Sequence, residues 1–257
     1  MEALVLGCGT STGVPLPGCA CEVCTSNDPK DKRNKSSILI RHQERNILID
    51  TSTDLRHQAL AYKINTIQAV IYTHSHADHI LGLEDLRSFN FTGTSTVPLY
   101  GTEKTFTDLE RCFHYIFSPS DSYKGGKLAQ VSKHYISHES DFIIEGIVFT
   151  PVQLFHAEME VLGFRINNFA YCTDCNFIPE ASLNKLYGLD TLIIDGLRFE
   201  PHSTHYTIHE AIEIINILKP KRAYLTHMSH SILYERDKIK LPENVFFSYD
   251  GLVIPIL

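Results

Sequence analysis

The chain has 257 residues, 43% of them hydrophobic, with a net charge of −7, 14 histidines and no tryptophan. That apolar content can bury a substantial core, while no stretch approaches the roughly 18 apolar residues that a membrane span needs. The negative balance argues against a partner such as nucleic acid gripped through a broad basic surface. The opening Met1-Glu2-Ala3-Leu4-Val5-Leu6 lacks the basic and long apolar regions of a secretory signal and reads as a first strand. Apolar runs predict strands over residues 3–6, 37–41, 46–50, 69–73, 97–100, 147–154, 163–166, 169–173, 191–195, 223–226 and 252–256. Helical signals fall between them. Ile80, Leu83, Leu86 and Phe89 follow a helical period, and a helix is expected from Pro179 to just before Gly188. Thr207 with Glu210 forms a capping box ahead of the stripe Ile208, Ala211, Ile212, Ile215 and Leu218, and Pro220 ends that helix. No repeat, low-complexity tract or linker interrupts the chain, so a single domain over residues 1–257 is expected, of α/β class. Residues of about 90–140, richer in Ser, Thr, Lys and Tyr, are the candidate cap beside a site.

Chemistry concentrates in Thr73-His74-Ser75-His76-Ala77-Asp78-His79, where three imidazoles and a carboxylate occupy six residues. The run follows the apolar Ala69-Val70-Ile71-Tyr72, so its donors sit on the turn at a strand's carboxyl end, where α/β sheets place ligands. Imidazole and carboxylate suit zinc or manganese, and four donors so close point to two ions rather than one. Other strand candidates also end on a donor: Asp50, His156, Asp174, Asp195 and His227. Each alone has an ordinary reading as a turn residue. Their common position at one edge of a sheet is the argument.

Seven cysteines form no evident disulfide framework. Cys19, Cys21 and Cys24 have the spacing of a thiolate-bound ion, and a reducing cytoplasm is the expected compartment. Cys172 and Cys175 flank Asp174. They read as small strand residues, with Cys172 on the side of its strand that Asp174 shares.

The ordered set of Asp50, the His-x-His-x-Asp-His run, His156, Asp174 and His227 resembles the metallo-β-lactamase superfamily. The resemblance implies an αββα sandwich of two mixed β-sheets flanked by helices. It further implies that His74, His76 and His156 hold one divalent ion, Zn2+ or Mn2+, and that Asp78, His79 and His227 hold a second. Asp174 would bridge them, with a water or hydroxide between. The N-terminal Gly7-Cys8-Gly9-Thr10-Ser11-Thr12-Gly13-Val14-Pro15 and the following cysteines resemble, more narrowly, the PhnP-type phosphodiesterases. In that group such cysteines and a late histidine, here His230, hold a structural Zn2+, which would clamp a loop of about residues 15–31. Cys8 departs from the threonine common among relatives.

By the same resemblance His205 is the proton donor, with His202 its close rival, and Asp78 counts as a catalytic residue as well as a ligand. Asp50 and Asp195 are read as carboxylates orienting ligand imidazoles. The implied activity is hydrolysis of small phosphodiesters, cyclic ones included, by a two-metal-activated hydroxide, and relatives imply a homodimer. Weighed against it are an RNA 3′-processing nuclease, a lactonase, a thioesterase and a non-catalytic metal-binding protein. No clamping arm or basic segment favours the nuclease.

Overall fold

A computed structural model describes residues 1–93, 95–119 and 124–257. Two seven-stranded sheets face each other. The first comprises β1 (Glu2–Gly7), β2 (Ser37–His42), β3 (Arg45–Ile49), β4 (Ala69–Ile71), β5 (Val97–Gly101) and β6 (Val131–Tyr135). The second comprises β7 (Phe142–Ile144), β8 (Ile147–His156), β9 (Met159–Ile166), β10 (Phe169–Cys172), β11 (Thr191–Asp195), β12 (Arg222–Thr226) and β13 (Val245–Phe247). The last strand, β14 (Val253–Pro255), returns to the first sheet beside β1. Strand order is β14-β1-β2-β3-β4-β5-β6 in one sheet and β13-β12-β11-β10-β9-β8-β7 in the other. Both are mixed: β3 to β6 and β10 to β13 pair in parallel, and the remaining pairs are antiparallel.

Side-chain alternation builds the layers. Ala3, Val5, Ile38, Ile40, Ile47, Ile49, Ala69 and Ile71 enter the core between the sheets. Their neighbours Leu4, Leu6, Leu39, Leu48 and Val70 enter a second core on the outer face. Strands buried on both faces must be apolar at every position, and these runs are. The outer core is closed by α2 (Leu55–Ala61), α4 (Leu86–Thr92) and α5 (Glu103–Cys112), after the short α1 (Glu22–Thr25) and α3 (Ala77–Ile80). The short α6 (His114–Phe117) adds Ile116 to it. On the second sheet, α7 (Glu180–Lys185) and α8 (Ile208–Leu218) do the same, before the short α9 (Tyr234–Asp237).

The capping box at Thr207 is present in both directions, and Lys219 closes α8 in the left-handed conformation one residue before Pro220. The expected helix through Ile80, Leu83, Leu86 and Phe89 is instead broken into α3, a 3₁₀ turn over Leu83–Asp85 and α4, although all four side chains are buried. Gly82 explains the break. A Cβ there would lie 2.1 Å from the Ser52 carbonyl oxygen, so the backbones touch. Sequence reasoning missed β6, β7 and β13. The first is polar and largely exposed, and the other two are three-residue edge strands. Of the stretch 90–140, residues 97–135 contribute β5, α5, α6 and β6, and positions 94 and 120–123 fall outside the described residues. No helix among the described residues is long and apolar enough to cross a membrane.

Candidate metal centre

Parallel strands end together, and here their carboxyl ends deliver the polar residues to one edge. Asp50 follows β3, the His74–His79 run follows β4, His156 ends β8, Asp174 follows β10, Asp195 ends β11 and His227 follows β12. The Leu162 N–H donates to the Thr73 carbonyl at 3.0 Å, joining the sheets at that edge. Asp50, Asp174 and His227 all have positive φ, of 64°, 53° and 59°. Three non-glycine residues in the left-handed region at three strand ends mark a backbone held by its surroundings at this site.

Donor atoms of Asp78, His79, Asp174 and His227 lie within 4.8 Å of one another, and all four residues are buried. Asp174 Oδ2 is 3.1 Å from His227 Nε2, 3.3 Å from His79 Nε2 and 3.9 Å from His74 Nε2. The rings of His74 and His76 are 4.6 Å apart, and those of His76 and His156 are 5.1 Å apart. Asp174 therefore stands between two groups of donors.

Hydrogen bonds on the far side of the rings set their tautomers. The Thr73 hydroxyl donates to Asp50 Oδ2 at 2.8 Å and so accepts from His74 Nδ1 at 2.9 Å. His79 Nδ1 donates to Asp50 Oδ2 at 2.7 Å, and His156 Nδ1 to the Thr204 carbonyl at 2.7 Å. With Nδ1 protonated, each Nε2 presents a lone pair inward. The inward atoms His74 Nε2, His79 Nε2, His227 Nε2 and Asp78 Oδ2 are buried without a hydrogen-bond partner among the described residues. Unpartnered buried polar atoms converging at this spacing are costly unless a cation joins them, so the donor set fits divalent metal.

Charge follows the same geometry. Burial alone would depress His79, but the Asp174, Asp78 and Asp50 carboxylates outweigh it and hold its pKa well above the usual range. Burial also opposes protonation of His227, yet Asp174 and Asp78 raise it to about 9. His74 lies well below its ordinary value, mainly through burial and then through the neighbouring His79. Burial opposes ionisation of Asp174, but His227 and His79 keep it well below the carboxylate range.

His205 is buried beside this cluster. Its ring stacks on His227 at 4.6 Å and lies 4.4 Å from His156, and its Nδ1 meets Asp195 Oδ2 at 2.7 Å. His202 is exposed and its ring is 5.2 Å from that of His205. His209 is exposed on α8. One expectation needs correcting. Asp195 holds His205 and the Cys175 N–H, not one of the imidazoles expected to bind metal, because β11 ends beside the His205 loop. Asp50 Oδ2 instead accepts from His79 Nδ1.

Cys172 does not approach the centre. β10 ends at Cys172 and Asp174 turns away, so the thiol packs toward Gly163, where a Cβ would lie 3.1 Å from its Sγ. Burial pushes its pKa up to about 12 and raises Cys175 strongly. Cys112 is exposed at the end of α5, outside any apolar segment.

A second cluster joins Cys19, Cys21, Cys24 and His230. His230 Nδ1 lies 3.4, 3.5 and 3.6 Å from the three sulfurs. The Cys24 N–H donates to Cys21 Sγ at 3.5 Å and is the main reason its pKa falls to about 6, favouring thiolate. Buried Arg33 braces this loop, reaching Asp31 at 3.2 Å and the Ser229 and Ile232 carbonyls at 3.1 and 2.8 Å.

Sequence reasoning also missed Thr73, Thr204 and Asn176. Asn176 accepts from Ala157 N and donates to the Ser203 carbonyl, tying the His156 turn to the His205 loop. No spacing rule marks a lone Thr or Asn for such a role.

The model of the β-lactamase superfamily domain matches residues 45–228, most of the chain and nearly all of the donor set. The chain belongs to the β-lactamase superfamily. A solved PhnP-family diphosphatase is 42% identical with a TM-score of 0.92, over 100% of this chain and 98% of that one. Zn2+-bound PqqB from Methylobacterium extorquens matches with a TM-score of 0.82 at 21% identity, over 100% of both chains, a likeness of fold. Among curated proteins, an octanoyltransferase from Porphyromonas gingivalis is 34% identical over 98% of this chain. This chain spans 51% of that protein's length. The two facing mixed sheets with flanking helices are the metallo-β-lactamase fold.

Proposed function

We propose that this chain is a phosphodiesterase acting on small phosphate esters with two divalent ions, Zn2+ or Mn2+. The observation that carries the reading is Asp174 Oδ2 within 3.9 Å of His74, His79 and His227 Nε2, three buried nitrogens without a hydrogen-bond partner among the described residues. His74, His76 and His156 would hold one ion and Asp78, His79 and His227 the other, with Asp174 shared. When bound, such a pair supplies Lewis acidity toward a phosphoryl oxygen and a lowered pKa for water.

The chain's own residues supply the rest. Asp50, Thr73 and the Thr204 carbonyl fix the ligand rings in one tautomer. His205 has Nδ1 engaged by Asp195, which leaves Nε2 to pass a proton to the departing alkoxide. Asp195 keeps that ring oriented and balances its positive charge while it is protonated.

Cys19, Cys21, Cys24 and His230 would bind one structural Zn2+, fastening the N-terminal loop to the segment that carries His227. The single-domain organisation, the cytoplasmic setting, the homodimer and the lack of a nucleic-acid partner belong to the same proposal. The 42% identity to a diphosphatase supports phosphorus–oxygen bond chemistry. The octanoyltransferase name belongs to a protein twice as long, and acyl transfer through Cys172 or Cys175 meets two buried, protonated thiols.

The test is a panel of linear and cyclic phosphodiesters with a thioester and a lactone, assayed after loading with Zn2+ or Mn2+. Turnover of phosphodiesters that is lost in Asp174→Ala supports the reading. Preference for the thioester or lactone refutes it.

A further inference from the structure

Beside the metal centre lies an open cavity of about 1230 Å³. Its place is fixed by the β8–β9 hairpin. Met159, which lines it, pairs directly across from His156, so the two side chains leave the same face of the sheet a few ångströms apart. Lys104 of α5, also in the lining, binds Asp108, which further meets Arg111 and accepts from the hydroxyl of Ser75, between His74 and His76. The cavity thus borders the proposed site on the His76–His156 side, where both imidazoles are at least partly exposed.

Its lining is mixed. Phe142, stacked on Phe149 and Tyr100, and Tyr135, edge-on to Phe106, give it an aromatic floor. The ammonium of the lining, Lys104, is already engaged by Asp108, and His138 Nδ1 meets Glu160 Oε1 at 2.9 Å. Glu103, Glu139 and Asp141 have no ion-pair partner among the described residues, and all three are exposed. A lining of aromatic faces and unneutralised carboxylates attracts cationic and hydrogen-donating groups and repels anions.

We infer that this cavity receives the alcohol portion of the substrate that is not bound at the metal centre, and that it selects a non-anionic group: cationic or rich in hydroxyls. The inference rests on the phosphodiesterase reading and narrows its substrate class. The phosphoryl group itself would be held at the donor cluster, so the negative wall acts on the distal end alone. A second phosphate or a carboxylate at that end is disfavoured.

The experiment uses three p-nitrophenyl phosphodiesters whose second alcohols have equal length and end in trimethylammonium, hydroxyl or carboxylate. Their kcat/KM values are compared on the metal-loaded protein. The trimethylammonium and hydroxyl esters should exceed the carboxylate ester. Glu139→Lys combined with Asp141→Lys should shift the trimethylammonium-to-carboxylate ratio toward the anion by about tenfold, the scale expected of two reversed surface charges. Glu243→Lys, a reversal on the far side between β12 and β13, controls for net charge alone. An unchanged ratio in the double variant, or an equal shift in Glu243→Lys, overturns the inference while hydrolysis itself leaves the phosphodiesterase reading standing. Failure of the wild-type protein to cleave any of the three overturns both.

Discussion

Asp195→Asn isolates one hydrogen bond between two groups that water scarcely reaches. The Asp195 side chain is fully buried, that of His205 is 10% exposed, and Oδ2 meets Nδ1 at 2.7 Å. In the proposed reaction His205 must be positively charged when it gives its proton to the leaving oxygen, and Asp195 is the carboxylate that stabilises that charge. Making that hydrogen bond neutral lowers its worth from about 1.5–3 to about 0.5–1.5 kcal/mol, so the chemical step should slow by about 5- to 13-fold. The amide oxygen can take the place of Oδ2, which accepts from both the Cys175 N–H at 2.9 Å and His205 Nδ1 at 2.7 Å, so the loop should keep its shape. The assay is kcat on alkyl and p-nitrophenyl diesters, with metal content measured in parallel. The full loss should appear on the alkyl ester and shrink on the nitrophenyl ester, whose leaving group needs little protonation. An equal loss on both, or loss of an ion, would refute the assignment of Asp195 as the partner of a proton donor.

The thiolate cluster should bind a third ion per chain, so elemental analysis should find three in the wild-type protein and two in Cys21→Ser. Cys24→Ser should lower the thermal transition well below that of Asp174→Ala, because an ion joining the N-terminal loop to His230 contributes to folding. Arg33→Ala should destabilise by about 3 kcal/mol in urea unfolding, since it removes the countercharge of the buried Asp31 carboxylate and leaves it only the Ser26 and Tyr234 hydrogen bonds. Asp250, which accepts the N–H groups of Cys8 and Asn34, has its pKa raised to about 7, chiefly by burial. The folded state therefore binds this proton more tightly than the unfolded chain, and stability is lost as pH rises from about 4 to 7. Asp250→Asn should flatten that slope by up to about 1.4 kcal/mol per pH unit, measured as the difference between variant and wild-type urea titrations at each pH.

Local patterns carry far along this chain. Strands buried on both faces are largely apolar, so β1 to β4, β10 and β11 announce themselves, and a metal needs His and Asp whatever the fold. The strand-end positions of Asp50, His156, Asp174, Asp195 and His227 were legible for that reason, as was the Cys19–Cys24 cluster. The edge strands β6, β7 and β13 were not, because a short strand with one solvated face has no apolar period to read.

The partnerships among site residues also lay beyond the sequence. Asp50 and Asp195 look alike as strand-end carboxylates, yet one holds His79 and the other His205. Nothing local distinguishes them, since each partner lies on a separate segment, 29 and 10 residues away, placed by sheet pairing. The left-handed turns at Asp50, Asp174 and His227, the break at Gly82 and the cavity beside His156 arise in the same way. Each depends on how closely two backbones approach across the sheets, and only the assembled tertiary structure sets that distance.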